Sequence, residues 1–419
     1  MMDGHELLAR IRDVNGLLFD LAQGRVSLAV ENDRYLQASS HLEYLSVLLI
    51  ESNEDIVQLV MGTRIAEAVE TCFEHIIAHH DECNDPESTL AYECAQMILA
   101  IVRRCKHAGT FLRCLPTLST TLLDARMSAD VRQTAADTFM ELSYASDRSD
   151  GNALACLKLW SGLHLSLTEK WLIDAGSYAL QEAILQLLWT WPHCAGVFKM
   201  LEEKYVPGQP SRGSTTLQIP DVRMLLSAFN EANPMSPVLS MIPYEVKGFG
   251  SQVNSGWVDW NQVDVVCRGL TPTCLGRSFE AKLNADEVAR ISTERALSMR
   301  DAVASSQEER FWLHIYLTPE YVETMPHSVE PQLSEALTRA GYRVSMLFED
   351  GDLALWKARV APRLLKAGIE LLEVNGSTAN SSKPNLQEAP PLQPGHRLLS
   401  CTTMMQVHAA GVDSAGYQP

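Results

Sequence analysis

Asp174-Ala-Gly-Ser-Tyr-Ala-Leu-Gln-Glu-Ala-Ile-Leu-Gln-Leu-Leu-Trp-Thr-Trp191 decides the architecture of this 419-residue chain. Apolar residues recur at Leu180, Ala183, Ile184, Leu187, Leu188 and Trp191, the i, i+3, i+4, i+7, i+8, i+11 series of a helix with one buried stripe. Leu185 and Trp189 widen the stripe, so the helix needs cover from two sides, as the inner member of a stacked helical pair does. Gly176 can close a preceding helix in the left-handed conformation, and Ser177 can cap the next one. Two helices therefore meet at a tight corner. Pro192 ends the pattern.

Toward the N-terminus the same period continues. It predicts helices over 4–22, 32–51, 54–80, 87–107, 110–125, 128–145, 152–173 and 177–191. Asp85-Pro86, Gly109, Ser128 and Asp150-Gly151 separate them, and Pro116 bends or splits the fifth. Short connections between amphipathic helices imply antiparallel neighbours. A run of this kind suggests an α-solenoid of the armadillo or HEAT type more than a single bundle, although no consensus repeat is visible.

Toward the C-terminus the character changes. Val206-Pro-Gly-Gln-Pro-Ser-Arg-Gly-Ser214 is a linker by composition. Val238-Leu-Ser-Met-Ile, Val263-Asp-Val-Val-Cys, Ser278-Phe-Glu-Ala-Lys-Leu and Arg310-Phe-Trp-Leu-His-Ile-Tyr-Leu317 read as antiparallel strands. A helix is expected at 329–340, where Leu333, Ala336 and Leu337 share a face, then a strand at 342–348 and a helical stretch at 353–372 that Pro362 kinks or divides. A small β-sandwich or barrel closed by a helix fits these elements. From Asn375 the composition is Ser, Asn, Pro, Gln and Gly without periodicity, a disordered tail. The expected division is a helical domain over 1–205, a linker over 206–221, a mainly β domain with a C-terminal helix over 222–372, and the tail over 373–419.

Hydrophobic content of 46% with 21% charged residues is that of a globular chain. The longest uninterrupted apolar run, Met97-Ile-Leu-Ala-Ile-Val102, is far short of the ~20 residues that span a bilayer. The N-terminus does not read as a secretory signal, so a cytosolic or nuclear location is expected. The net charge is −18, and residues 1–205 carry 16 Lys and Arg against 29 Asp and Glu. Such a surface repels a phosphate backbone, which disfavours duplex binding by the first half and suits basic protein partners.

Candidate sites are few. Ten cysteines are present, without a CxxC pair. Cys72, Cys83, Cys94 and Cys105 recur every eleven residues, but Pro86 interrupts any single helix that would align them, and small buried hydrophobes are the expected reading. His75 and His79 have the i, i+4 spacing of metal ligands, followed by His80, yet no third ligand is evident; a solvated helix end is the simpler reading. Gly248-Phe-Gly250 lacks the third glycine of a dinucleotide fingerprint. No nucleophile elbow, Walker loop or acid–base carboxylate pair occurs, so no catalytic residue, cofactor or metal is expected. Trp257-Val-Asp-Trp260 sets two indoles in a Gly/Asn-rich loop, where they form either an exposed contact patch or a plug in the barrel core. Glu51, Glu54, Asp55, Glu67, Glu70 and Glu74 cluster in sequence on the helical half, a possible acidic seat for a basic segment or plain solubility charge.

Taken together, Asp174-Ala-Gly-Ser-Tyr-Ala-Leu-Gln-Glu-Ala-Ile, Leu217-Gln-Ile-Pro220 ahead of the first strand, and a tryptophan (Trp257 or Trp260) before the next strands resemble the N-terminal region of the synaptonemal complex protein 2 family. The resemblance covers roughly 150–320. It implies an armadillo-like domain followed by a pleckstrin-homology-like domain similar to the middle domain of the large FACT histone-chaperone subunit. It further implies a non-enzymatic scaffold of the meiotic chromosome axis, nuclear and chromosomal, recruiting axis, chromatin or centromere proteins. The alternative is a histone-chaperone-like or general chromatin adaptor. In that family a short motif after the second domain is captured by HORMA-domain proteins, and His396-Arg-Leu-Leu-Ser-Cys-Thr-Thr-Met-Met-Gln-Val407 is the candidate here, with Leu398 and Leu399 as anchors for strand addition. An ordinary tail is the competing reading.

Overall fold

The corner at 174–177 forms as its residues predict in a computed structural model of the chain. The structure describes residues 4–23, 28–51, 54–79, 85–105, 114–145, 164–190, 194–207, 219–247, 255–262, 264–270, 278–296, 310–318 and 343–374. Gly176 has φ +75°, the left-handed value that glycine adopts without a Cβ clash. Ser177 Oγ accepts from Leu180 N at 3.2 Å, an N-cap for the following helix.

Around this corner the first unit, Met1–Ser236, is helical. Its elements are α1 (Gly4–Ala22), α2 (Leu28–Glu51), α3 (Glu54–Met61), α4 (Ile65–His79), α5 (Asp85–Cys105), α6 (Leu115–Leu123), α7 (Ala129–Ala145), α8 (Leu165–Asp174), α9 (Tyr178–Thr190), α10 (Ala195–Tyr205) and α11 (Ile219–Ala232). They pack in series. An inner row runs α2 on α5, α5 on α7, α7 on α9 and α9 on α11, while α4 leans on α5, α6 on α7 and α10 on α9 and α11. In α9, Leu180, Ala183, Ile184, Leu185, Leu187 and Leu188 are all at most 3% exposed, because three helices cover it. Two side chains tie the corner to the rest of the unit. Arg132 of α7, buried, donates to the carbonyls of Leu122 at 3.1 Å, Asp174 at 2.7 Å and Ala175 at 3.4 Å. Gln181 donates to Leu172 O at 2.8 Å and exchanges hydrogen bonds with Asn230 of α11, which also accepts from Ser236.

Some boundaries differ from those expected. The helix over 54–80 is two, α3 and α4, separated at Gly62, whose added Cβ would sit 3.3 Å from the Gln58 carbonyl. Leu217-Gln-Ile-Pro220 leads into α11 and not into a strand, with Pro220 in the first turn where its missing N–H costs nothing. Val222, Leu225, Leu226 and Phe229 give α11 a buried i, i+3, i+4, i+7 face, so residues 219–232 fold with the helices, where the sequence places the start of the second domain.

The second unit, Pro237–Pro419, is built on two sheets. β1 (Leu239–Met241), β3 (Ser255–Trp260), β4 (Asp264–Leu270) and β5 (Ser278–Asn284) form one, in the order β1-β3-β4-β5. β2 (Glu245–Lys247), β8 (Arg343–Glu349), β7 (Arg310–Leu317), β6 (Val288–Arg295) and β9 (Glu370–Val374) form the other, in the order β2-β8-β7-β6-β9. All pairings are antiparallel except β6 with β9. Val258, Trp260, Leu313, Ile315, Met346 and Phe348 share one core with Trp356 of α12 (Asp350–Arg359), whose ring meets Trp260 edge to face at 5.7 Å. After α12 comes α13 (Ala361–Lys366), so Pro362 divides the helical stretch. It does not continue to 372, because Gly368 at φ +85° turns the chain back into β9. The segment Trp257–Trp260 is strand, not loop: Val258 and Trp260 face the core and Trp257 the other side. The expected helix at 329–340, Gly248-Phe-Gly250, residues 208–214 of the linker, Trp191 and the tail lie outside the described residues.

Ile184→Asp sets an unpaired carboxylate among the helices covering α9 and should cost ~4 kcal/mol. A thermal melt of the variant is expected to show the helical transition lost or lowered by many degrees; an unchanged melt would contradict the inner position of α9.

Candidate interaction surface

Strand alternation divides β7 into two sets. Phe311, Leu313, Ile315 and Leu317 enter the core, while Arg310, Trp312, His314 and Tyr316 stand on the outer face of the five-stranded sheet. Register brings β8 and β6 beside them: Trp312 lies between Leu347 and Glu294, His314 between Ser345 and Ser292, and Tyr316 between Arg343 and Arg290. Lys247 Nζ sits 4.2 Å from the Trp312 centroid, Arg290 lies 4.2 Å over Tyr316 and Arg310 lies 4.1 Å over Tyr244. The Trp312 and His314 rings stack at 6.2 Å, 7° apart. His314 is held between Ser345 Oγ at 2.8 Å and the Glu294 carboxylate at 3.4 Å, and burial with the Arg343 charge keeps its pKa low.

This face carries the residue types that anchor protein interfaces: a tryptophan, two tyrosines and several arginines, rigid and already oriented by cation–π contacts. Its charges are balanced. Lys247, Arg290, Arg310 and Arg343 stand against Glu245, Glu294, Glu349 and Glu370, with Glu245 3.1 Å from Lys247 and Tyr244 donating to Glu349. Such a face suits a protein surface better than a phosphate backbone, which needs a net excess of cations.

The two tryptophans singled out from the sequence part company. An i, i+3 spacing places side chains on one face of a helix but on opposite faces of a strand. Trp260 is 1% exposed, in the core, and Trp257 is half-buried on the outer side of the four-stranded sheet. They form no joint patch. Leu398 and Leu399 lie outside the described residues.

In the helical unit, His79 Nδ1 donates to its own helix at His75 O, 2.9 Å away, and the two rings stand 4.2 Å apart at the end of α4. Among the described residues neither joins a ligand cluster. The three donors that do converge are Glu70, Glu74 and Cys114, mutually within 4.8 Å; there the Cys114 thiol donates to the buried Glu70 carboxylate at 3.2 Å. Glu70 is therefore a core residue and leaves the acidic group drawn from sequence, while Glu67 is clasped by Arg64 at 2.6 and 2.8 Å. Cys72, Cys94, Cys114, Cys194 and Cys267 are buried and form no disulfide with one another, as expected of small hydrophobes. Burial pushes Cys194 up to about 11 and Cys267 up to about 12, far from thiolate chemistry. Among the described residues no helix is long and apolar enough to cross a membrane.

Glu93 of α5 stands out: burial, with Glu43 nearby, raises its pKa from 4.5 to about 8. Folded protein holds that proton where unfolded chain has released it. The contribution is thus fully present below about 4.5 and lost as pH rises to about 8. Melts at intervals from pH 5 to 8 should show stability falling, and Glu93→Gln should flatten the slope and raise the melting temperature at pH 8. A Glu93→Gln profile superimposable on wild type would contradict it.

No family model matches the chain, and no curated protein matches it. A solved structure named "Synaptonemal complex protein" has the same fold, with a TM-score of 0.50 at 13% identity, over 86% of this chain and 87% of that one.

Proposed function

We propose that this protein is a non-enzymatic scaffold of the meiotic chromosome axis, with an armadillo-like helical array followed by a pleckstrin-homology-like β domain. The observation that carries the reading is the fold likeness to a synaptonemal complex protein, which spans most of both chains. The arrangement of the parts supports it: stacked helical pairs in one unit, two sheets, antiparallel but for the β6–β9 pairing, closed by a helix in the other. Function in such a protein lies in what its surfaces bind. The Trp312–Tyr316 face is the surface best equipped to bind a protein partner, and the −18 charge of the chain favours basic ones. Axis, chromatin or centromere proteins are the proposed partners. HORMA-domain capture through Leu398 and Leu399 is the proposed role of the tail.

The test is localisation in meiotic prophase nuclei. The tagged chain is expected to form continuous lines along chromosome axes, and Trp312→Ala to disperse them at an unchanged protein level. Diffuse chromatin staining would favour the histone-chaperone-like alternative, and exclusion from the nucleus would overturn both.

A further inference from the structure

Between α13, the β3–β4 turn and strands β5 and β6 lies a cavity of about 210 Å³. Its walls are apolar: Trp260, Leu283, Val288, Ile291, Val360 and Ile369 are each no more than 6% exposed. Gln262 and Ala367 on its border are exposed, and Ala285 and Leu364 half-buried, so it opens to solvent on that side. A dry cavity of ~150 Å³ holds a benzene ring; this one has room for a bicyclic ring or a branched chain.

Two of the lining residues, Trp260 and Arg363, carry polar groups. Trp260 Nε1, a donor only, is buried with no hydrogen-bond partner among the described residues. Arg363 donates to the carbonyls of Pro237, of Asn261 at 3.2 Å and of Arg359 at 2.9 Å, and among the described residues no carboxylate pairs with it. Burial and the neighbouring Arg359 charge press its pKa down to about 10. The acid on the same wall, Asp264, is already engaged by Asn261 Nδ2 at 2.6 Å and Lys282 Nζ at 3.4 Å. The cavity thus combines an apolar interior with a cation that lacks its counter-ion.

We propose that this cavity binds a small carboxylic acid bearing an aromatic or branched apolar group, with the apolar group against Trp260 and Ile291 and the carboxylate at Arg363. A bound carboxylate supplies the counter-charge to Arg363, and the apolar group fills space that otherwise leaves the wall without contacts. The site is separate from the outer face of the five-stranded sheet and does not depend on the scaffold reading.

Calorimetric titration of the full chain with 3-indolepropionate and with indole tests it. Saturable one-to-one binding of both is expected, the acid at least tenfold tighter. Val288→Phe, which fills the cavity, should abolish both without lowering the melting temperature; Ala367→Trp at the border serves the same purpose should Val288→Phe unfold. Arg363→Gln should bring the acid down to the affinity of indole. No saturable binding of either compound up to millimolar concentration would overturn the proposal. Equal affinity of acid and indole for the wild type, or binding that survives both filling variants, would overturn it as well.

Discussion

One buried cation, Arg132 of α7, ties the end of α6 to the α8–α9 corner. The end of every α-helix leaves carbonyls without partners, and burying them unsatisfied costs ~1–3 kcal/mol each. At the α8–α9 corner Ala175, Gly176 and Ser177 are buried, so the carbonyls there need partners from the protein. Arg132 supplies a planar fork of donors and satisfies Asp174, Ala175 and, at the end of α6, Leu122. Gln181 satisfies Leu172 and passes the network on to Asn230 and Ser236. The short run from Asp174 to Gln181 is thus a fixed joint: Gly176 for the backbone, Ser177 for the cap, Tyr178 under the Arg223 guanidinium at 3.8 Å, and Gln181 for the carbonyl left behind.

That joint explains what was legible in the sequence. Gly176, Ser177 and the Leu180–Leu188 stripe act on their immediate neighbours, so a local reading finds them. Arg132 is 42 residues from Asp174, and nothing in its own surroundings marks it as the clamp. The same limit appears in the second unit. Arg310-Phe-Trp-Leu-His-Ile-Tyr-Leu317 was readable as a strand because its alternation is strict. What its outer residues meet is set by register with β6 and β8, which no single stretch shows.

Where the structure departs from the sequence pattern, the cause is tertiary. Glycine and asparagine around Trp257 and Trp260 suggest a loop, which leaves contact patch and core plug both open; in a strand the odd spacing separates the two rings and sends Trp260 into the core. The helical pattern of 353–372 was followed past Gly368, whose positive φ ends it, and the apolar Ile369 and Leu371 after it belong to a sheet-side core. α11 went unread because a Pro/Gly/Ser-rich stretch before it signalled a boundary, yet four buried residues tie it to α9 and α10. Glu70, counted as surface charge, proved to be a buried acceptor for Cys114. Composition sees charge but not burial.

The central claim is that the corner joint, and not the helix stripe alone, holds the inner row in place. Hydrogen–deuterium exchange on the wild type and Arg132→Met measures it directly. Removing the clamp should strip protection from α8 and α9 and carry the loss into α5, α7 and α11, since each packs on the next. Loss confined to residues 174–177, with α7, α9 and α11 as protected as in the wild type, would contradict it.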